Sequence, residues 1–428
     1  MPSPGRASRL APHSSSPARW AIALTVTDAP PKKTAARRGR PSKALRVPRF
    51  AAAATDVTIE ECTSQAQRDE FVRFPLTHYA GDPVFVQPIV AERRDFIDPR
   101  ANPFFESARA VYFLARRQGR VVGRIAACVD TRFNRFHGTR DGFIGLFESQ
   151  NDPGLAAALF MPACEWLRQA GMTRVVGPVN LAFHHDDGVL IDGFEQPHAM
   201  MNAYNHRFYA GLFEANGFTH LKDLINYEVS STAGMPDKVV RLANRVRASG
   251  QVRVRQVDTT DTGAEIRRIK AISESMLRPG AFGLSPMSEA ELEHIVRKLK
   301  PLILFRPELC LVAEVNDEPV AFCITVPDTN FAVKEAGGLL FPFGLARMLW
   351  AARRIQRLKV LLFGIKSGFR RRGIDALLAH ETYLGALRLG YTTAEVGWMP
   401  EDDKLLTRMV QAAGGKRIKT YRVYERPL

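Results

Sequence analysis

Val111-Tyr-Phe-Leu-Ala-Arg-Arg-Gln-Gly-Arg-Val-Val122 and Leu309-Cys-Leu-Val-Ala-Glu-Val-Asn-Asp-Glu-Pro-Val320 follow one pattern written twice. Each is an apolar run, a polar pair (Gln118-Gly119, Asn316-Asp317) and a second apolar run, which reads as a β-hairpin. Ala115 aligns with Ala313 and Val122 with Val320, a constant offset of 198. Further on, Leu212-Phe-Glu-Ala-Asn-Gly217 answers Met409-Val-Gln-Ala-Ala-Gly414 at an offset of 197. Offsets that agree from hairpin to closing segment predict one fold used twice.

After its hairpin each half runs strand, loop, helix. Phe143 to Glu148 and Leu155 to Ala170 do so in the first half, and Val360 to Ile365 and Ile374 to Leu389 in the second. Strands followed by helices predict an α+β fold with mixed sheets flanked by helices. The chain divides into a basic tail (1–50), a first domain (51–230), a helical connector (231–250, with a helix from Pro236 to Ala248) and a second domain (251–428).

The 428 residues, 46% hydrophobic and 24% charged, suit two globular units. The five cysteines are odd in number, lie in apolar stretches and form no CxxC pair, which points to a reducing compartment and away from a structural metal. No apolar run reaches the length of a membrane span, and Ala21 to Val26 is too short for a signal peptide, so the expected location is the cytoplasm. Of the net charge of +16, about +10 belongs to residues 1–50, which carry eleven Lys and Arg against Asp28 alone. This Ser-, Pro- and Ala-rich tail reads as disordered. Its Arg38-Gly39-Arg40-Pro41 matches the core of a minor-groove AT-hook, but a solvated basic tail is the simpler account, and nucleic acid is not the expected partner.

Lys366-Ser-Gly-Phe-Arg-Arg-Arg-Gly-Ile-Asp375 joins a strand to a helix start, where backbone N–H groups and the helix dipole favour an anion. Ile365, Lys366, Arg370, Arg371, Arg372, Gly373 and Ile374 are therefore the candidate cofactor-binding residues, the arginines suiting a pyrophosphate. The turn resembles the coenzyme A motif of GCN5-related N-acetyltransferases (GNATs), with Arg370 first and Gly373 fourth. Asp375 stands where that motif has a small residue, and would oppose phosphate if it faced inward. The matching place in the first half is Asn151-Asp152-Pro153-Gly154, where Asp152 puts an acid in the phosphate position. The second half is thus expected to bind acyl-CoA.

His184-His185-Asp186-Asp187 is a dense titratable cluster between apolar runs. An amine acceptor arrives protonated, and a His oriented by an acid is a suitable base to remove that proton. Three readings stand: general base, polar turn, or metal ligands, the last without a second ligand cluster at motif spacing. No metal is expected.

Asn134-x-Phe136-His137, Gly142-Phe-x-Gly145-x-Phe147-Glu148, Gly177-Pro-x-Asn180, His185-Asp186, Tyr204-Asn205, Arg372-Gly-Ile-Asp375 and Tyr421-Arg-Val-Tyr424-Glu-Arg-Pro427 together resemble a bacterial tandem-GNAT acyltransferase family that includes bacterial ceramide synthases. The resemblance covers residues 57–428. It implies acyl-CoA as co-substrate and N-acylation of a sphingoid base. The family's pattern is Asn-His-Glu where this chain has His184-His185-Asp186, so His185 carries over, Asp186 does so conservatively, and His184 departs. A tyrosine that GNATs use to protonate the leaving thiolate is replaced by Phe213 and Val410; Tyr204 and Tyr209 are nearby substitutes but read as packing residues rather than acids. Acetyl or aminoacyl transfer to a small amine, and binding without turnover, are the competing readings. Finally, Thr329 to Leu358 is an apolar, cationic insertion. It is read as an acyl-chain wall, a surface lying on an anionic membrane, or an extra helix completing the core.

Overall fold

The computed structural model describes residues 50–428; the basic tail and its AT-hook-like Arg38 to Pro41 lie outside the described residues. The first half holds β1 (Thr58–Glu61), α1 (Gln65–His78), α2 (Val90–Ile97), β2 (Ala108–Arg117), β3 (Arg120–Asp130) and α3 (Thr131–His137). It continues with β4 (Asp141–Ser149), α4 (Pro153–Gln169), β5 (Arg174–Gly177), β6 (Val189–Asp192), α5 (Tyr209–Ala215) and β7 (Thr219–Ser230). Then come α6 (Asp237–Ala248), β8 (Arg253–Gln256), α7 (Thr262–Met276), α8 (Glu289–Phe305), β9 (Cys310–Val315) and β10 (Glu318–Pro327). The insertion supplies α9 (Asn330–Ala336) and α10 (Gly344–Ala352). The chain closes with β11 (Arg357–Ile365), α11 (Ile374–Arg388), β12 (Thr393–Pro400), α12 (Lys404–Ala412) and β13 (Lys416–Pro427).

Both hairpins form where the sequence places them. Gln118 and Gly119, and again Asn316 and Asp317, all have positive φ (50°, 76°, 50° and 61°). Two positive-φ residues make a turn whose twist matches that of the flanking strands.

All strands join one sheet in the order β1-β2-β3-β4-β5-β13-β7-β12-β11-β10-β9-β8, with β6 also paired to β13. Only β4–β5 and β11–β12 are parallel. The two halves exchange their last strands. β7, which ends the first half, pairs with β12 of the second; β13, which ends the chain, pairs with β5 of the first. The exchanged strands then pair with each other from Lys416–Glu228 to Glu425–Thr219. The seam is polar inside. Glu395 of β12, fully buried, accepts from Lys359 Nζ (3.0 Å) and Asn226 Nδ2 (2.7 Å), and is bridged by Arg357 and Asn202.

Helices cover both faces. α4 packs Leu155, Leu159, Phe160 and Leu167 on one face of the first half's sheet, and Phe71 and Val72 of α1 pack on the other. In the second half α11 and α7 take the equivalent places. The five cysteines are buried as free thiols, and no described helix is long and apolar enough to cross a membrane.

β4 carries a bulge. Arg124 faces Glu148 and Ala126 faces Gly145, so Leu146 and Phe147 together oppose Ile125. Leu146 takes φ 46°, and its N–H donates to Asn180 Oδ1 at 2.6 Å. An extra residue bends a strand and re-aims the side chains beyond it, here Glu148. Gly145 lets the segment after β5 approach, since a Cβ there would lie 2.1 Å from the Val179 carbonyl oxygen. Gly145→Ala should therefore cost about 1–3 kcal/mol through overpacking, read as a lowered urea midpoint; an unchanged midpoint would show that the close approach is not required.

Candidate functional site

The bulge, the segment after β5 and the helices α1, α2 and α8 enclose a cavity of about 540 Å³ lined from both halves of the chain. Its apolar wall includes Phe71, Phe85, Phe96 and Phe104 from the first half and Leu299 and Leu302 from the second. Into it face Arg93, Arg124, Glu148, His185, Asp186 and His198.

Of the residues singled out in the sequence, His184, His185 and Asp186 line this cavity together, whereas none of Ile365 to Ile374 does. The expected His185–Asp186 hydrogen-bonded pair is corrected. His185 Nδ1 meets the Asn180 carbonyl at 3.0 Å, and Asp186 instead accepts from Arg93 Nη2 at 2.9 Å. Adjacent residues in a tight turn point to different partners. The carbonyl can only accept, so His185 carries its proton on Nδ1 and leaves the Nε2 lone pair unprotonated. Burial, with His184 beside it, pushes His185 down to about 3, and burial holds His184 and His198 near 4. Burial alone would raise Asp186, but Arg93 overrides it and keeps the carboxyl below its ordinary range. Asp187 does not line the cavity; burial raises it well above that range.

A second group was not assembled from the sequence, where Glu148 stood in a motif without a role and Tyr79 and Arg124 were not singled out. Glu148 Oε2 accepts from Tyr79 Oη (2.5 Å) and Tyr209 Oη (2.8 Å), while Arg124 Nη2 lies 3.5 Å from Oε1. Burial raises the Glu148 carboxyl, with Arg124 and both phenols opposing. The available signal was an acid ending the fully buried strand Asp141–Ser149. Tyr209 thus reaches the cavity as a hydrogen-bond donor, whereas Phe213 and Val410 are core residues. Several motif residues prove to be scaffolding. Asn134 brackets the backbone of Asp141, and Asn205 does the same for Leu190.

The two halves also differ at their helix starts. At α4, Asp152 accepts from the N–H groups of Gly154 (2.9 Å) and Leu155 (3.1 Å), the positions a phosphate would use, and Arg117 closes on it at 2.8 Å. At α11, Gly373 caps the helix at φ 77°, and Arg371 and Arg372 are exposed beside it. Lys366 pairs with Glu318, and its N–H donates to the Val320 carbonyl, so this amide is not free to polarise a thioester. Strand direction alternates, so the amides of Phe363 and Ile365 face away from β10 instead. On that side β11 stays in register with β12 only as far as Val360–Val396. The corresponding gap between β4 and β5 is closed by the chain itself, Val179 N–H donating to the Ile144 carbonyl at 2.7 Å.

Asp375 is buried within the protein, unlike the exposed Arg371 and Arg372. It is 2% exposed, and burial pushes its carboxyl up to about 6 from 3.8. A folded pKa above the unfolded one means stability present below pH 4 and lost as pH rises through 6. About two units correspond to roughly 3 kcal/mol. Asp375→Asn should add about 1–3 kcal/mol at pH 8 and nothing near pH 4, as urea unfolding at the two pH values will show.

No family model matches the chain. It is 31% identical over 380 residues to the bacterial ceramide synthase of Caulobacter vibrioides, covering 87% of this chain and 98% of that one. With Protein YghO of Escherichia coli the identity is 27% over 366 residues, 84% and 92% of the two chains. Among solved structures, a tandem GNAT protein from the clavulanic acid biosynthesis pathway superposes with a TM-score of 0.52 at 11% identity, covering 87% of this chain and 98% of that one. The tandem organisation read from the repeat thus has a counterpart in a solved fold. The chain carries the tandem GNAT fold and belongs to the bacterial ceramide synthase family.

Proposed function

We propose that this chain transfers a long-chain acyl group from acyl-CoA to the amine of a sphingoid base. The observation that carries the reading is the cavity: mostly apolar walls, a volume within the roughly 300–1,000 Å³ of small-molecule sites, and a few convergent polar groups around His185. Kinship with a ceramide synthase over nearly its whole length supports the same substrate class.

In this mechanism the coenzyme A diphosphate lies against Arg370, Arg371 and Arg372 at the start of α11. Its thioester follows the edge of β11 that β12 leaves, where the amides of Phe363 and Ile365 polarise the carbonyl. The amine attacks the carbonyl carbon, a C–N bond forms, the C–S bond breaks, and the departing thiolate takes the remaining proton shed by the nitrogen, leaving the amide and free thiol. His185 Nε2 takes the proton that the ammonium must lose before attack. Its depressed pKa keeps the imidazole neutral at every physiological pH, and burial lowers the amine's pKa in the same direction.

Replacing His185 with Ala should leave acyl-CoA affinity unchanged and lower turnover by about 10²–10⁴ at pH 7. The deficit should shrink toward pH 10 as free amine accumulates. The wild-type profile should show no inflection near 6.5, because His185 titrates far below it. Free thiol release with a sphingoid base and a long-chain acyl-CoA is the assay. A near-normal His185→Ala rate alongside a dead Glu148→Gln would move the base to Glu148.

The placement of coenzyme A is tested at the exposed pair. Arg371→Ala with Arg372→Ala should weaken its binding about ten- to a hundred-fold, since a charge-assisted contact is worth roughly 1.5–3 kcal/mol. Gly373→Asp is a poorer probe, because a Cβ there would lie 2.8 Å from Val246 Cγ2 and disturb the packing of α6. Unaltered affinity by calorimetry in the folded double variant would remove the cofactor from this turn.

A further inference from the structure

The insertion between β10 and β11 does not complete a core. It presents its apolar side chains outward. Phe341 is 80% exposed, Phe343 71%, Leu349 59% and Trp350 55%. α10 inverts the usual pattern of a surface helix: it buries the small residues Gly344 and Ala351 and turns Leu345 and Leu349, one helical turn apart, to the outside. The arrangement is held in place rather than splayed. Gly338 accepts a hydrogen bond from the Val90 amide at 3.1 Å and packs on Pro88 and Gln87, and the Lys334 ammonium caps the Pro83 carbonyl.

Cations accompany the apolar surface. Arg347, Arg353 and Arg354 are exposed on or just after α10, with Lys334 on α9, against Glu335 as the one exposed acid of residues 329–356. The Arg354 guanidinium lies over the Trp350 ring at 3.7 Å, pairing an aromatic that favours the membrane–water boundary with a cation that favours anionic headgroups. The insertion also reaches the cavity mouth. Asn330 and Val333 of α9 line it, as do Pro88 and Ile89, which flank the Gly338 contact.

We propose that residues 339–354 are a bilayer-docking surface that inserts Phe341, Phe343, Leu349 and Trp350 into the interface of an anionic phospholipid membrane. The arginines meet the headgroups, and the cavity opens beside them. A second copy of the chain is disfavoured as the occupant, because a twofold contact would set this arginine-rich patch against itself. The docking surface stands on geometry and charge alone; only the identity of what passes from bilayer to cavity rests on the function proposed above.

The test is flotation of the full-length protein with vesicles of phosphatidylcholine alone or with one third phosphatidylglycerol, at 0.15 M salt. Wild type should float with the anionic vesicles. Phe341→Ser/Phe343→Ser/Trp350→Ser should reduce binding at least ten-fold, with circular dichroism and acyl transfer to a short, water-soluble amine unchanged. Arg347→Glu/Arg353→Glu/Arg354→Glu should do the same through charge, each basic residue near such a surface contributing roughly five-fold. Brominated lipid should quench wild-type tryptophan fluorescence more than that of Trp350→Phe, which separates insertion from loose attraction of the basic tail. Failure of wild type to float, equal flotation of the serine variant, or no difference in quenching would overturn the proposal. A dimer that the serine variant abolishes would assign the surface to a second copy. Vesicle binding needs no turnover, so loss of the proposed activity and loss of docking are read independently.

Discussion

The pairing of β7 with β13 is the constraint on which the rest of the molecule depends. These strands end the two halves of the repeat, and each sits against the other half's sheet. Neither half has a complete sheet until the last residues of the chain are in place. The seam is then locked by Glu395, whose four partners come from β7, β11 and the segment before α5. A buried carboxylate costs several kcal/mol unless every neighbour is in register. A slip of one residue along β12 would turn Glu395 to the opposite face and leave Lys359 buried without it. The polar seam therefore specifies the register that an apolar seam would leave looser.

That exchange allows the halves to diverge in chemistry while sharing a backbone plan. In the first half the gap beyond the parallel strands is closed by Val179, and the helix start is occupied by Asp152 and Arg117. The same backbone positions remain open at β11 and are lined with arginines at α11. What the first half does supply is the bulge at Leu146, which aims Glu148 inward, and the turn that hangs His185 from the Asn180 carbonyl. One Asn serves both devices, its side chain accepting from Leu146 and its carbonyl from His185. Asn180 thus ties the position of the histidine to the curvature of the strand.

The parts legible in the sequence were those that local physics writes. Hairpins announce themselves by apolar runs around a polar pair, and α11 by a glycine-bearing basic turn. The strand exchange was not legible, because β7 and β13 are local strands whichever sheet they join. Only long-range packing chooses between the alternatives. The same holds at the site. His185 and Asp186 stood out as neighbours, but proximity in sequence did not make them a pair; Arg93, far away on α2, claims the carboxylate. Tyr79, Arg124 and Glu148 come from three separate elements and show no common spacing. For the insertion, composition gave three readings, and the exposure of Phe341 and Phe343 removed the core-completing one.

The base proposed for this site, His185 held near pKa 3, looks ill-suited to deprotonate an amine whose free pKa is close to 10, and the resolution lies in what the cavity would do to both partners. Desolvation penalises an ammonium as it penalises an imidazolium, so the gap between the two narrows when the amine enters the same low-dielectric space. Arg93 and Arg124 add to that penalty, because they place positive charge around any incoming cation. Their partners, Asp186 and Glu148, lie close enough to screen it. The site then favours the neutral form of the bound amine over its ammonium. In the proposed mechanism the proton passes to His185 as the amine gives it up, and Asp186, ionised beside the ring, and the Asn180 carbonyl both favour the resulting imidazolium. Burial sets most of the depression of His185, and in the proposed mechanism the Arg93–Asp186 bridge adjusts what remains without touching the ring.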